Sequence, residues 1–265
     1  MLKHVFFFII LLLPGIMPGV SLSSEPSSQL IINGDSYFSQ RSLDHIGARA
    51  TTTTILRAIS SYFSAYNSEN PSAELAIRIM KSLYFYIAYA EHDVKKRKKA
   101  LWKAIQLGEE ALKKHSDNVG INYWLGGCWG RWGEINGVFA SAKMGVASKI
   151  RYYAQRTIEL DPKYADGGGY RTFGILHSKA PKIPFILPWP SNKKAIKYLA
   201  KAVEVGPENL TNHLYYAETL AKAGQIKKAI RHLEKVINTE VNPEKLVEEL
   251  KDKQEAQSLL DDLKD

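Results

Sequence analysis

Apolar residues recur along this chain at the three-and-four spacing of amphipathic helices, in segments separated by clusters of Asn, Asp, Pro and Gly. The pattern predicts helices over 29–39, 44–66, 72–91, 95–115, 119–139, 144–160, 167–178, 191–205, 209–223, 226–238 and 243–263. No run alternates in the way a half-buried strand does, so the expected fold class is all-α. Helix stops stand at Ser68-Glu69-Asn70-Pro71, Ser116-Asp117-Asn118, Leu160-Asp161-Pro162 and Val205-Gly206-Pro207-Glu208. They come at intervals of about 40 residues, the spacing of stacked helical hairpins.

The clearest hairpin runs from Leu214-Tyr215-Tyr216-Ala217-Glu218-Thr219-Leu220 through Ala223-Gly224 to Ala229, Leu233 and Val236. Ala217 and Ala229 fall where two antiparallel helices cross and only small side chains let the backbones approach. A second copy carries Tyr170, Phe173, Gly174 and His177, then Ala195, Leu199, Ala202 and Pro207. A third carries Trp124, Leu125, Gly126 and Trp129, followed by Tyr153, Ile158 and Pro162. A fourth second helix is visible at Ala104, Gly108 and Ala111, behind an aromatic helix through Leu83, Phe85, Tyr86 and Tyr89. These match the tetratricopeptide pattern, a large-small pair in the first helix and small-large-small in the second. The expected architecture is a right-handed solenoid of four to five hairpins over 24–240, with a Pro-rich insertion at 179–191 and an acidic capping helix at 241–265.

The first residues have the layout of an export signal. Lys3 precedes nine apolar residues from Val5 to Leu13, then Pro14, Gly15 and small residues, so 1–23 reads as a signal peptide cleaved after Ser21 or Ser23. The alternative, a membrane anchor, is disfavoured because nine helical residues rise about 14 Å against a hydrocarbon core of about 30 Å. No later stretch is apolar enough to span a bilayer. The single cysteine, Cys128, leaves no intrachain disulfide framework and no Cys-based zinc or iron–sulfur site. It also leaves no cysteine near the cleavage region, so the expected product is exported, periplasmic and not a lipoprotein. With 36 Lys and Arg against 27 Asp and Glu the net charge is +9. The Glu240–Asp265 segment carries a net −5, so the repeats themselves are strongly basic. For an exported chain that charge suits an anionic ligand, an acidic partner or a membrane surface rather than nucleic acid.

No catalytic constellation is legible: there is no H-E-x-x-H, no G-x-S-x-G, and no pair of histidines at metal-ligand spacing. No cofactor and no enzymatic role are expected. In the segment Tyr123 to Gly133, Trp124, Leu125, Cys128, Trp129 and Trp132 fall on one helix face and Gly126, Gly130 and Gly133 on the other. The tryptophans either fill the core or line a groove with Arg131 nearby, and the glycine face is expected to admit a neighbouring helix. Between Lys179 and Pro190 four prolines alternate with Ile183, Phe185, Ile186, Leu187 and Trp189, a stiff loop too apolar for an ordinary turn, read as a lid or a contact surface. Gly167-Gly168-Gly169 either let the chain turn tightly or open backbone N–H groups to an anion beside Arg171. The run Lys95-Lys96-Arg97-Lys98-Lys99 is a solvated face or a contact for acidic protein or lipid headgroups.

Tyr123-Trp124-Leu125-Gly126, Ile158-Glu159-Leu160-Asp161-Pro162, Gly167-Gly168-Gly169-Tyr170-Arg171-Thr172-Phe173-Gly174, Lys179-Ala180-Pro181 and Asn212-His213-Leu214-Tyr215-Tyr216-Ala217-Glu218 together resemble the TatT-type T-component of tripartite ATP-independent periplasmic transporters, over residues 35–240. The resemblance implies a periplasmic repeat protein that associates with a substrate-binding protein and passes an apolar or carboxylate ligand through an internal pore. Family members are typically lipoproteins; this chain lacks the cysteine for that. The expected groove is formed by Trp124, Trp129, Arg131, Trp132, Tyr170, Arg171 and His177, with the Pro-rich loop at its mouth. The competing expectation is a cell-envelope scaffold that holds a peptide or helix of a partner.

Overall fold

The computed structural model describes residues 26–68, 72–182 and 187–264. Among them are eleven α-helices: α1 (Ser27–Ser39), α2 (Thr52–Ser68), α3 (Ala73–Phe85, prolonged by a π-helical turn Tyr86–Ala90), α4 (Val94–Lys114), α5 (Val119–Lys143), α6 (Val146–Leu160), α7 (Tyr164–Lys179), α8 (Asn192–Val205), α9 (Leu210–Lys222), α10 (Ile226–Asn238) and α11 (Leu246–Asp262). An isolated β-bridge pairs Ile46 with Arg49. Among the described residues no helix is long and apolar enough to cross a membrane, and the export-signal residues 1–23 lie outside them.

The helix starts follow from the stop clusters. Ser72, Asp93, Asn118, Ser191 and Asn209 each accept a hydrogen bond from a backbone N–H three residues on, which satisfies one of the orphan donors of the first turn. One expected boundary is wrong: 44–51, expected to be helical, forms a loop that turns at Gly47 with φ +57° and hydrogen-bonds through Ala50 N–H to the carbonyl of Tyr89. Helical spacing of Leu43, Ile46 and Ala50 is outweighed there by a glycine in the left-handed region.

Successive helices pack as antiparallel pairs, and α3, α5, α7, α9 and α11 also touch in series, forming the inner wall of a superhelix. Small residues sit at the crossings: Ala195, Ala202, Ala217 and Ala229 are fully buried, and a Cβ on Gly174 of α7 would stand 2.5 Å from Leu199 Cγ of α8.

The C-terminal helix does more than cap an open end. Besides packing on α9 and α10, α11 reaches the N-terminal end of the solenoid. Arg41, just after α1, donates from Nη2 to Glu248 Oε1 at 2.7 Å and to the Glu244 carbonyl. Its guanidinium stacks 4.4 Å from the Phe38 ring and 5.0 Å from Phe85. Val247 belongs to the same core cluster as α2 to α7. The superhelix is thus closed laterally by a polar helix whose buried positions include Glu249 and Asp252.

Candidate functional site

The inner wall and α11 enclose a cavity of about 1630 Å³. Its floor is the glycine face of α5: Gly126, Gly127, Gly130, Gly133 and Gly137 line it. A Cβ at Gly130 would meet nothing within 4 Å. The expectation that this face admits a neighbouring helix holds at Gly126, where a Cβ would stand 3.5 Å from Tyr153 Cβ and 3.9 Å from Ala154 N of α6, whereas at Gly130 the face is an open cavity wall. At Gly137, φ +81° breaks the helical path and folds Val138–Lys143 back beside Gly133.

Aromatic and charged side chains project from the wall. Tyr84 and Tyr89 come from the end of α3, Tyr123 and Trp124 from α5, and Tyr215 from α9. Trp124 sits edge-on to both Tyr84 and Tyr123, with ring centroids 5.4 and 5.1 Å apart. Burial pushes the phenols of Tyr84, Tyr89 and Tyr215 up, so each stays a neutral O–H. Arg131 donates from Nε to Tyr84 Oη at 3.2 Å and from Nη1 to Glu134 Oε2 at 2.8 Å, leaving Nη2 without a partner among the described residues. Lys251 of α11 lies 5.4 Å above the Tyr89 ring, its ammonium pushed down by burial and by Arg131. Asp252 accepts from Thr211 Oγ1 at 2.6 Å, and burial pushes its carboxyl up to about 7. The walls suit an apolar body, and the free guanidinium edge suits an oxyanion head.

The expected groove residues separate. Trp124, Arg131 and Arg171 line the cavity. Trp129 does not: it is fully buried on the convex side of α5, edge-on to Trp102 of α4 and under Lys149, with Trp132 packed against it. Both tryptophans are core. Tyr170 is half-buried and outside the cavity. His177 lies outside it too, stacked on Tyr198 and edge-on to Trp189 in a separate small pocket, where burial holds its pKa down at about 4. Arg171 is 9% exposed and joins protein to protein, donating to Asn212 Oδ1 and Tyr123 Oη, each at 2.7 Å. That pairing leaves the Gly167–Gly169 turn as a packing device: Gly167 has φ +77°, and a Cβ on Gly168 would stand 2.4 Å from the Tyr123 ring. Of the Pro-rich loop, Leu187 reaches the cavity and Trp189 packs under Arg151; Ile183, Phe185 and Ile186 lie outside the described residues.

Tyr84, Tyr89, Tyr215, Lys251 and Asp252 were not expected at a site. A signal existed for Asp252, an acid four residues before Ala256 in the stripe Val247, Ala256, Leu260.

A closed wall of paired helices with small residues at each crossing defines an all-α tetratricopeptide-repeat protein, a fold of protein-interaction scaffolds. A tetratricopeptide family model matches residues 191–253, and a model for regulator of microtubule dynamics protein 1-3 matches residues 44–167. Among solved structures, the thermophilic tetratricopeptide protein TTC0263 of Thermus thermophilus superposes with a TM-score of 0.59 at 10% identity, over 89% of this chain and 98% of that one. Pseudomonas aeruginosa pilF follows at 0.53 and 13% identity, over 89% and 91%. No protein of curated function matches the sequence.

Proposed function

We propose that this chain is an exported, non-enzymatic tetratricopeptide binding protein, similar in role to the T-component of periplasmic solute uptake. In this reading its cavity takes a ligand with an apolar body and a carboxylate head and works beside a substrate-binding protein. The observation that carries the reading is the laterally closed, tyrosine-lined cavity with the free Nη2 edge of Arg131 inside it. The export signal read at 1–23 and the resemblance over 35–240 support the compartment and the role.

The match to the regulator of microtubule dynamics model favours a second reading, in which the solenoid holds a segment of another protein in the same concave face. Native mass spectrometry and tryptophan fluorescence with a series of long-chain and short carboxylates separate the two. Ligand transfer predicts saturable binding of a carboxylate that weakens at least tenfold in Arg131→Gln and in Trp124→Ala. Absence of any carboxylate binding, together with capture of a protein partner that both substitutions disrupt, supports the scaffold instead.

A further inference from the structure

The alternation of helices gives the solenoid two edges of opposite chemistry. One edge gathers the turns that follow α1, α3, α5, α7 and α9; the other gathers the turns that precede α3, α5, α7, α9 and α11. On the first edge α4 opens on exposed lysines from Lys95 to Lys99, α8 on Lys193 and Lys194, and α10 on Lys227 and Lys228. None of these helices has an acid in its first turn. Positive charge at a helix N-terminus opposes the helix dipole, so local helix stability does not explain the placement. Nor does ion pairing: of these lysines only Lys96 has a carboxylate within reach among the described residues, Glu91 at 3.8 Å.

The second edge is neutralised. Arg156 pairs with Asp117 and Glu159, Lys235 with Glu208, and Lys245 with Asp166. There α3 and α11 open on Glu74 and on Glu248 and Glu249, as the dipole favours.

Six of the ten exposed large apolar side chains among the described residues also lie on the basic edge. Leu43 is 70% and Ile46 81% exposed beside α2, Val94 opens α4, and the last turns of α5 beyond Gly137 present Val138 and, at 94%, Phe139, with Met144 just after them. Gly137 and Gly145, with φ +81° and +62°, bracket that last segment. Unpaired lysines around projecting apolar tips match a surface that is anionic outside and hydrocarbon a few ångströms below.

We infer that this edge docks the protein on an anionic lipid bilayer, with Phe139 and its neighbours entering the interface and the lysines over the headgroups. Of these apolar tips only Val138 also lines the cavity, and the inference stands whatever the cavity binds.

The test is co-sedimentation of the full chain with vesicles of phosphatidylglycerol in phosphatidylcholine and with phosphatidylcholine alone. The readout is the difference between the two. Preferential, salt-sensitive binding to the anionic vesicles is expected. Lys193→Gln with Lys194→Gln should lower it about twenty-five-fold, from roughly fivefold per lysine, while Lys163→Glu on the opposite edge should leave it unchanged. Cys128 is fully buried, so an environment-sensitive dye can be placed selectively at Phe139→Cys, and at Lys163→Cys as control. Only the dye at position 139 should shift to the blue on anionic vesicles. Equal sedimentation with both vesicles, equal loss from the opposite-edge variant, or an unshifted dye at 139 overturns the inference. Capture of an acidic protein without vesicle preference overturns it too.

Discussion

If the glycine face of α5 is a cavity wall, adding a methyl group there should strengthen the protein. A Cβ at Gly130 has nothing within 4 Å, and the residue has ordinary helical φ, so Gly130→Ala adds no clash. It removes the helix penalty of glycine, worth about 0.8–1.0 kcal/mol. For a chain of this size that corresponds to a rise in Tm of about 2–4 °C. Gly174→Ala is the matched opposite: its Cβ would stand 2.5 Å from Leu199 Cγ and 3.2 Å from Leu199 N, and the backbone atom cannot rotate away. Overpacking of that kind costs about 1–3 kcal/mol. Thermal unfolding of both variants by circular dichroism reads the difference. Gly130→Phe extends the same logic to binding, with Tm kept within a few degrees and carboxylate affinity lost. A Gly130→Ala protein that melts below the parent refutes the wall, because something must then pack against that face.

Ala165 stands in the left-handed region at φ 51°, where a side chain costs about 1 kcal/mol, so Ala165→Gly should raise stability by about that amount in urea unfolding; an unchanged or lower midpoint contradicts it. The buried carboxyl of Asp252 keeps its proton up to about pH 7, against an ordinary aspartate value of 3.8. The folded state therefore holds the proton more tightly, and the stability this contributes at low pH is lost as pH rises through 7. Asp252→Asn should gain up to about 4 kcal/mol over the parent at pH 8 and little at pH 4, and equal gains at both pH values would remove the basis for this. Burial pushes the Cys128 thiol up to about 12, so thiol reagents should modify it no faster than the protein unfolds.

Most of the helices could be read in the sequence because their local signals agree. Asn118, Ser191 and Asn209 precede apolar-periodic runs and do cap helices, and Ala217 and Ala229 mark a real crossing. The site was less legible. Trp129 and Gly130 were correctly placed on opposite faces of α5, but angles around a helix do not say which face is concave. From Gly120 to Gly130 α5 carries no charged residue, so no polar face orients it. The net −5 of the last segment suggested a solvent-facing cap. What it conceals is that Glu248 meets Arg41, and Asp252 meets Thr211, in contacts that span long stretches of the chain and leave no trace in local spacing.

The bond between Arg41 and Glu248 joins residues 207 positions apart. A repeat array whose units touch only their neighbours can fray from its ends and melt unit by unit. Here the first and last units hold one another, so neither is a free end. Closing so long a loop costs about 5 kcal/mol of chain entropy, which slows folding, since that cost precedes the contacts that offset it. The same closure couples the two ends, so that the helices around Arg41 and Glu248 are expected to melt together rather than fray one unit at a time.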